Sequence, residues 1–357
     1  MESPIIERKR IAPPSTVGRG RAVTLEIAPT VDRWTDGDVT ICLGDSLNYY
    51  DRWAAPTVIV SDGAYGILGF AGDTSDHLDM PHWYEPHIRL WSQRATPQTT
   101  LWFWNSEIGW AAVHPVLERY GWRYVNANVW NKGKAHIAGN VNTAKIRRFP
   151  VVTEMCVQYV LEPRIDSLTL QHWLHREWKR TGLPLRKANE ACGVKDVAVR
   201  KYLDQGHLWY YPPPQMFAKM AAYANQYGAA AGRPYFSRDG ARPLTLDEWA
   251  AMRNKFRCPM GFTNVWERNP LKGAERITVP EVSRKAAHLN QKPLDLMRLI
   301  IEASSDVGDV LWEPFGGLFS ASLAAQQTGR KAFAAELDAT YFQLGLNRFQ
   351  PRQSLLF

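Results

Sequence analysis

The sequence has few cysteines and no long apolar run. Its 357 residues include only four cysteines, which are far apart, form no C-x-x-C pair and have no His at metal-ligand spacing. This pattern argues against a zinc site and fits a reducing compartment. No stretch approaches the roughly 20 apolar residues of a membrane span, and the amino-terminal segment has no apolar signal core. We therefore expect a cytoplasmic protein with no bound metal and no membrane partner.

Acidic side chains are fewer than basic ones. The 35 Asp and Glu residues against 43 Lys and Arg residues give a net charge of +8 and a pI near 9.3. A basic balance favours an anionic partner such as nucleic acid, although many basic proteins bind nothing anionic. With 45% hydrophobic residues the chain can bury one large core or two moderate ones, so we expect a folded protein of enzyme size.

A nucleotide-type βαβ unit is predicted near the carboxyl terminus. An apolar run at residues 310–312 is broken by residues 313–317, and residues 320–327 then have helical periodicity. The next predicted strand, residues 332–335, ends on Glu336, a side chain suited to accept hydrogen bonds from ribose hydroxyls. Since nucleotide folds usually start with such a unit, its sheet partners must come earlier in the chain.

The first half of the chain supplies those partners. Residues 39–43 and 57–60 read as strands that end in polar turns. Alternating helices and strands, beginning with a helix from about Pro86 to Arg94, continue to about residue 161. This alternation predicts an α/β domain with a mostly parallel sheet. Ligands of open α/β sheets collect outside the carboxyl ends of strands, so Asp45 and Asp62 lie where chemistry is expected.

The middle of the chain, from about residue 163 to 269, is rich in Arg, Lys, Trp, Tyr and Pro. Residues 185–203 predict two short helices around Gly193. They fit a helix-turn-helix that would offer basic side chains to DNA, and they fit equally a plain αα-hairpin with a solvated basic face. The basic candidates are Lys195, Arg200 and Lys201. The surrounding aromatics are expected to pack in a core rather than stack on bases: Trp173, Trp178, Trp209, Tyr210 and Tyr211.

The order of the motifs resembles one enzyme family. In chain order they are Gly44-Asp45, DGAY at 62–65, the basic segment, His288-x-x-Gln291-Lys292-Pro293 and EPFGG at 313–317. This order resembles the permuted, or β, class of S-adenosylmethionine-dependent DNA amino-methyltransferases, over roughly residues 37–163 and 258–349. The sequences VWNKG at 129–133 and TNVWE at 263–267 are also typical of that class.

The resemblance implies a Rossmann-like methyltransferase α/β fold, mostly parallel and circularly permuted in motif order, with a mainly helical target-recognition insert. The implied division is an arm (1–36), a first catalytic part (37–163), the insert (164–269) and a second catalytic part (270–357). Double-stranded DNA is the implied partner. The family allows a companion restriction endonuclease, and either a monomer or a homodimer.

The implied reaction transfers a methyl group from S-adenosylmethionine to the exocyclic amine of a flipped base. The Asp62 side chain and the Gly63 carbonyl would accept the two amine hydrogens, and Tyr65 would stack on the base. An Asp in the first position of this loop resembles adenine-modifying members, so adenine N6 is favoured over cytosine N4.

The cofactor would lie along the second group of motifs. The turn that carries Glu313, Phe315 and Gly317 would approach the amino-acid part of S-adenosylmethionine, and Glu336 would hold its ribose. Asp45 would lie near the adenine, while Lys292 and Pro293 would lie beside the methionine moiety.

Two loops depart from the family pattern. In the catalytic loop, residues 62–65, Gly63 and Ala64 replace two prolines, so we expect this loop to be less rigid. In the second loop, Phe319 replaces a glycine that lets the backbone approach the cofactor. These changes leave open a catalytically impaired relative that acts as a DNA- or cofactor-binding module, and an unrelated α/β enzyme with accidental matches. The retained Asp62 and Tyr65, with Gly317 and Glu336, favour an active enzyme.

Overall fold

The computed structural model of the protein describes residues 32–68, 73–133, 147–277 and 290–349. The strands are β1 (Arg33–Asp36), β2 (Val39–Leu43), β3 (Val58–Ser61), β4 (Thr100–Asn105), β5 (Trp122–Asn131), β6 (Thr153–Leu161), β7 (Arg164–Ile165), β8 (Leu168–Thr169), β9 (Val265–Glu267), β10 (Val310–Glu313) and β11 (Lys331–Glu336). The α-helices are α1 (Met80–Arg94), α2 (Glu107–Arg119), α3 (Leu170–Arg180), α4 (Lys187–Cys192), α5 (Pro214–Tyr227), α6 (Leu246–Ala250), α7 (Leu294–Ser304), α8 (Ser320–Gln327) and α9 (Ala339–Leu346).

One large sheet organises the catalytic part of the described chain. Its strand order is β1-β2-β11-β10-β3-β4-β6-β5-β9. The five strands from β2 to β4 in this order are parallel, whereas β6 runs antiparallel to both of its neighbours. The carboxyl-terminal strands β10 and β11 thus lie between the amino-terminal strands β2 and β3. The predicted Rossmann-like, mostly parallel sheet with a permuted strand order is confirmed.

Helices cover both faces of this sheet because its central strands are apolar on both sides. In β3, Val58 and Val60 belong to a core with α7, α8 and α9, whereas Ile59 faces a second core with α1 and α2. Burial on both faces is expected for parallel strands and explains their continuous apolar runs. The carboxyl ends of β2, β3, β10 and β11 therefore meet at one edge between two helical layers.

The middle of the chain has a core of its own, built from α3 to α6. Trp173, Trp178 and Trp249 are fully buried in it, and Trp209 and Tyr211 pack against it. The expectation that these aromatics pack in a core is confirmed, while Tyr210 is half exposed. Inside this core the buried carboxylate of Glu177 forms ion pairs with three arginines: Arg176, Arg180 and Arg233.

Some expected boundaries differ from the structure. Strand β1 pairs with β2, so the sheet begins within the expected arm of residues 1–36. Strand β9 pairs with β5, so residues 265–267 belong to the sheet although we placed them in the insert. Helix α1 begins at Met80, six residues before the expected start at Pro86. Within the described ranges, no helix is long and apolar enough to span a membrane.

Candidate active site

A cavity of about 400 Å3 lies at the edge of the sheet where the parallel strands β2, β3, β10 and β11 end. Its lining comes from the turn after β2, the loop after β3, the loop after β10, the end of β11, and one side of helix α1. Residues 290–292, just before α7, complete the lining. The two sets of motifs, far apart in the sequence, therefore share one cavity.

Asp62 follows β3 directly and forms an ion pair with Lys292. The Nζ atom of Lys292 lies 2.6 Å and 2.7 Å from the two carboxylate oxygens of Asp62, and only 4% of the lysine side chain is exposed. Burial lowers the pKa of Lys292, but Asp62 and Glu154 outweigh this effect and raise it. The lysine ammonium, expected beside the methionine moiety, thus contacts the catalytic loop.

Glu154, on β6, is a second carboxylate in the same cluster. Its Oε1 lies 2.9 Å from Nζ of Lys292, and its Oε2 lies 2.9 Å from Nζ of Lys132. Burial raises the pKa of Glu154, but the two lysines more than offset burial and lower the pKa to about 2. Two carboxylates and two ammonium groups therefore balance in charge.

Tyr65 joins the two carboxylates through its hydroxyl group. The hydroxyl oxygen lies 2.8 Å from Oδ1 of Asp62 and 2.7 Å from Oε1 of Glu154. Burial and the adjacent carboxylates raise the pKa of Tyr65 well above its usual value, so the hydroxyl keeps its hydrogen.

Hydrogen bonds from outside the catalytic loop hold its backbone. The carboxylate of Asp73 accepts from the backbone N–H groups of Tyr65 and Gly66, both at 2.9 Å. The carbonyl of Ala64 accepts from the Tyr84 hydroxyl at 3.1 Å and from the Asn105 amide at 2.8 Å. We expected this loop to be less rigid because it lacks two prolines. These hydrogen bonds constrain its backbone instead.

Gly63 is where the catalytic loop touches the loop between β10 and α8 (residues 314–319), which is predicted to bind the cofactor and is called the cofactor loop below. A Cβ atom at this position would lie 2.7 Å from the ring of Phe315 and 2.8 Å from the Tyr84 hydroxyl. The Phe315 ring packs edge-on against His87 and lines the cavity beside Trp83. Glycine therefore allows a contact that any larger residue would displace.

Two carboxylates organise the cofactor loop. Glu336, at the end of β11, accepts a hydrogen bond from the backbone N–H of Gly317 at 2.6 Å and lines the cavity. Glu313 accepts from the N–H groups of Ala321 and Ser322 at the start of α8. Burial raises the pKa of each of these two carboxyls to about 7. Glu313 thus holds the helix start, a role that the sequence did not reveal.

Phe319 has a left-handed backbone conformation, with φ 54° and ψ 45°. Its ring is fully buried against Phe342 and Phe349. A Cβ atom added at Gly316 would lie 2.1 Å from a carbon of this ring, and one added at Gly345 would lie 2.4 Å from another, so both glycines make room for the ring. The residue therefore keeps a backbone conformation that favours glycine and directs its ring into the core.

The other expected cofactor residues lie at the cavity or beside it. The carboxylate of Asp45 accepts a hydrogen bond from the N–H of Leu47 at 2.9 Å, and both residues line the cavity. Pro293 is the N-cap residue of α7, directly after Lys292. His288 lies outside the described residues.

The predicted DNA-binding residues lie away from this cavity, on the helical core. Helix α4 ends at Gly193, which has a left-handed conformation, and the following helix is a single π-helical turn, Ala198–Tyr202. Lys195, Arg200 and Lys201 are exposed. The two short helices are present as predicted.

Comparisons with known proteins identify the family. The profile of the N6 and N4 methyltransferases, described as DNA methylase, matches residues 57–347. The chain belongs to this DNA methylase family. The predicted resemblance is thereby confirmed, and the family uses S-adenosylmethionine as methyl donor.

Individual relatives match over shorter segments. The chain is 41% identical over 61 residues to DNA adenine methyltransferase YhdJ of Escherichia coli strain K12, covering 17% of this chain and 21% of that protein. It is 29% identical over 128 residues to type II methyltransferase M.ScaI of Streptomyces caespitosus, covering 34% of this chain and 41% of that protein. The matched segments thus span well under two thirds of these relatives.

A solved structure supports the fold. The cytosine-N4-specific PvuII DNA methyltransferase aligns with a TM-score of 0.52 over 89% of both chains, at 11% sequence identity. At 11% identity, the similarity between the two proteins is a similarity of fold alone.

Sequence reasoning missed three residues that complete the site: Lys132, Glu154 and Asp73. Lys132 lies in the segment 129–133 whose wording is typical of the family, so a signal existed for it. Glu154 and Asp73 carry no motif, because their roles follow from strand pairing and chain folding alone. Among the described residues, no group of three or more His, Cys, Asp and Glu side chains could hold a metal ion.

Proposed function

We propose that this protein transfers a methyl group from S-adenosylmethionine to the exocyclic amine of a base in DNA, with adenine N6 as the target. The observation that carries the proposal is the shared cavity, which brings Asp62 of the catalytic loop beside the cofactor loop and Glu336. Family membership supports the same reaction.

The target amine needs acceptors rather than a strong base. Its lone pair is delocalised into the ring, so the amine becomes nucleophilic when its hydrogens are held out of the ring plane. Asp62 and the Gly63 carbonyl follow one another at the end of β3 and are the acceptors we assign to these hydrogens. Tyr65 is the aromatic that would stack on the flipped base.

The cavity lining suits a ligand that combines a cation, a ribose and an aromatic ring. Carboxylates of Asp45 and Glu336 and the aromatic side chains of Trp83 and Phe315 all lie in the lining. Aromatic faces attract cations and stack on bases, and an acidic group at this strand end can accept from ribose hydroxyls. When bound, S-adenosylmethionine supplies an activated methyl group on a cationic sulfur.

The choice of adenine rests on Asp62 as the first residue of the loop. The relative YhdJ, an adenine methyltransferase, supports it, whereas the PvuII enzyme with a similar fold is specific for cytosine N4. Both bases present an exocyclic amine, so the measurement that separates them is the identity of the methylated base.

Double-stranded DNA is the proposed substrate. The net charge of +8 and the exposed Lys195, Arg200 and Lys201 support phosphate contacts by the helical core. Reading of base edges by this segment would set the recognition sequence.

The test is transfer of label from S-adenosylmethionine to mixed-sequence duplex DNA, followed by nucleoside analysis. Wild-type protein should yield N6-methyladenine, and Asp62→Ala should reduce the rate at least about 100-fold because the amine loses its side-chain acceptor. Asp51→Ala, an exposed acidic residue outside the cavity, is the matched control and should keep full activity.

Two results would contradict the proposal. Absence of label on any DNA, despite binding of S-adenosylmethionine, would remove the methyltransferase activity. Label on cytosine alone would keep the activity and overturn the adenine assignment.

A further inference from the structure

Asp62 has most of its hydrogen-bonding capacity already in use. A carboxylate offers about four acceptor positions on its two oxygens. Lys292 lies within hydrogen-bonding distance of both oxygens, and the Tyr65 hydroxyl lies 2.8 Å from Oδ1. Oδ1 therefore has little capacity left for a target amine while Tyr65 donates to it.

The Tyr65 hydroxyl has one hydrogen to donate and two carboxylates within hydrogen-bonding distance. Glu154 Oε1 lies 2.7 Å from the hydroxyl oxygen, as close as Asp62. Because a hydroxyl donates only one hydrogen, it bonds strongly to one carboxylate at a time. A hydrogen directed at Glu154 leaves Oδ1 of Asp62 available.

Glu154 also forms an ion pair with the Lys292 ammonium, which Asp62 binds as well. Nζ of Lys292 lies 2.9 Å from Glu154, and Lys132 binds the other oxygen of the same carboxylate at 2.9 Å. Lys132 is itself held over the Trp130 ring, 4.7 Å from its centroid. Two lysines thus keep Glu154 ionised and fixed.

We propose that Glu154 is a positioning residue for methyl transfer: it takes the Tyr65 hydroxyl hydrogen and a share of Lys292, which leaves Asp62 an oxygen for the target amine. Lys132 neutralises and orients Glu154. Fixing the Tyr65 hydroxyl on Glu154 also fixes the ring that would stack on the base. This inference rests on the proposed function and assigns roles to two residues that the proposed function does not use.

The principal test is steady-state kinetics of Glu154→Gln. We expect kcat to fall about 10- to 100-fold, with the KM values for S-adenosylmethionine and DNA within about threefold of wild type. The value of kcat is counted per molecule that binds S-adenosylmethionine, so a purely structural defect, which lowers only the amount of folded protein, leaves it unchanged.

Glu162→Gln is the matched control. Glu162 follows the far end of the same strand and forms ion pairs with Arg123 and Arg164. Its substitution should leave kcat and the two KM values unchanged. A Glu154→Gln enzyme with kcat within threefold of wild type would overturn the inference.

Removing Lys132 together with Glu154 restores the charge balance of the cluster, so the double variant Glu154→Gln/Lys132→Gln serves where the single variant does not fold. The cluster of this double variant has one negative and one positive charge, whereas the wild-type cluster has two of each. The inference expects kcat to stay low, since Tyr65 and Lys292 still lack the anion. Recovery of wild-type kcat in the double variant would overturn it.

A thermodynamic cycle separates this inference from the proposed function. If wild-type protein transfers no methyl group, the proposed function fails, and the cycle of Asp62→Asn and Glu154→Gln still decides whether the two carboxylates act together. Their effects on Tm should be non-additive, because both carboxylates bind the same ammonium and the same hydroxyl. Additive effects on Tm would overturn the inference.

Discussion

The catalytic loop and the cofactor loop both depart from their family's pattern, and the fold accommodates the two departures by different physical means. The catalytic loop lacks two prolines, and side chains from elsewhere hold its backbone through hydrogen bonds: Asp73, Tyr84 and Asn105. The cofactor loop has Phe319 in place of a glycine, and apolar packing of its ring against Phe342 and Phe349 holds it.

The difference follows from what each loop must present to the cavity. The catalytic loop presents the Asp62 carboxylate to the cavity, and its backbone forms hydrogen bonds with polar side chains of neighbouring segments. The cofactor loop presents backbone, and Phe319 directs its side chain to the opposite side, into a layer where only shape and apolar contact are available.

The largest expected effect is on the apolar side of this comparison. Phe319→Ala should lower the free energy of unfolding by about 3–5 kcal/mol, because it leaves a cavity in the core. Phe319→Gly should be more stable than Phe319→Ala by about 1 kcal/mol, because φ is positive at this position. Denaturant unfolding measures both, with exposed Phe262→Ala as a control. An alanine variant as stable as the glycine variant would contradict the account of the backbone.

A smaller effect is expected on the polar side. Asp73→Ala leaves the N–H groups of Tyr65 and Gly66 without their acceptor, which should cost about 2–3 kcal/mol of stability. Hydrogen exchange should accelerate at these two amides, while amides of β4 keep their protection. Unchanged exchange at Tyr65 and Gly66 would show that the loop is held by other contacts.

The remaining prediction concerns pH and Glu313, the last residue of β10, directly before the cofactor loop. Its pKa is raised by burial from 4.5 to about 7, so its contribution to stability is fully present below pH 4.5 and is lost as pH rises through about 7. Glu313→Gln should remove this pH dependence, which amounts to about 3 kcal/mol at roughly 1.36 kcal/mol per pKa unit. Denaturant unfolding of both proteins between pH 4 and about 8 checks it; curves with equal pH slopes would contradict the role of burial.

Much of the fold could be predicted because its signals are local. The apolar run of residues 310–312, the Gly-containing turn and the helix after it define β10 and α8, and the order of the motifs places β10 beside β3. Residue ranges were less accurate at β9 and α1, since strand pairing across the chain and a helix start without a side-chain cap leave weak local patterns.

The candidate site was predictable only in part. Asp62, Tyr65 and Glu336 follow strands at positions that general rules for α/β sheets single out, and they line the cavity. Glu154 and Asp73 have no such signature, because each acts through contacts that the strand and loop arrangement creates.

The sequence by itself determined the permuted order of strands, the family and the edge of the sheet where the chemistry lies, because runs of apolar residues and the polar turns after them are encoded over a few positions. Only the tertiary structure decided that Lys292 binds Asp62 across 230 residues of sequence, that Glu154 shares both the lysine and the Tyr65 hydroxyl, and that the Phe319 ring points away from the cavity. These contacts depend on distances of a few ångströms between distant segments, which strand order alone does not fix.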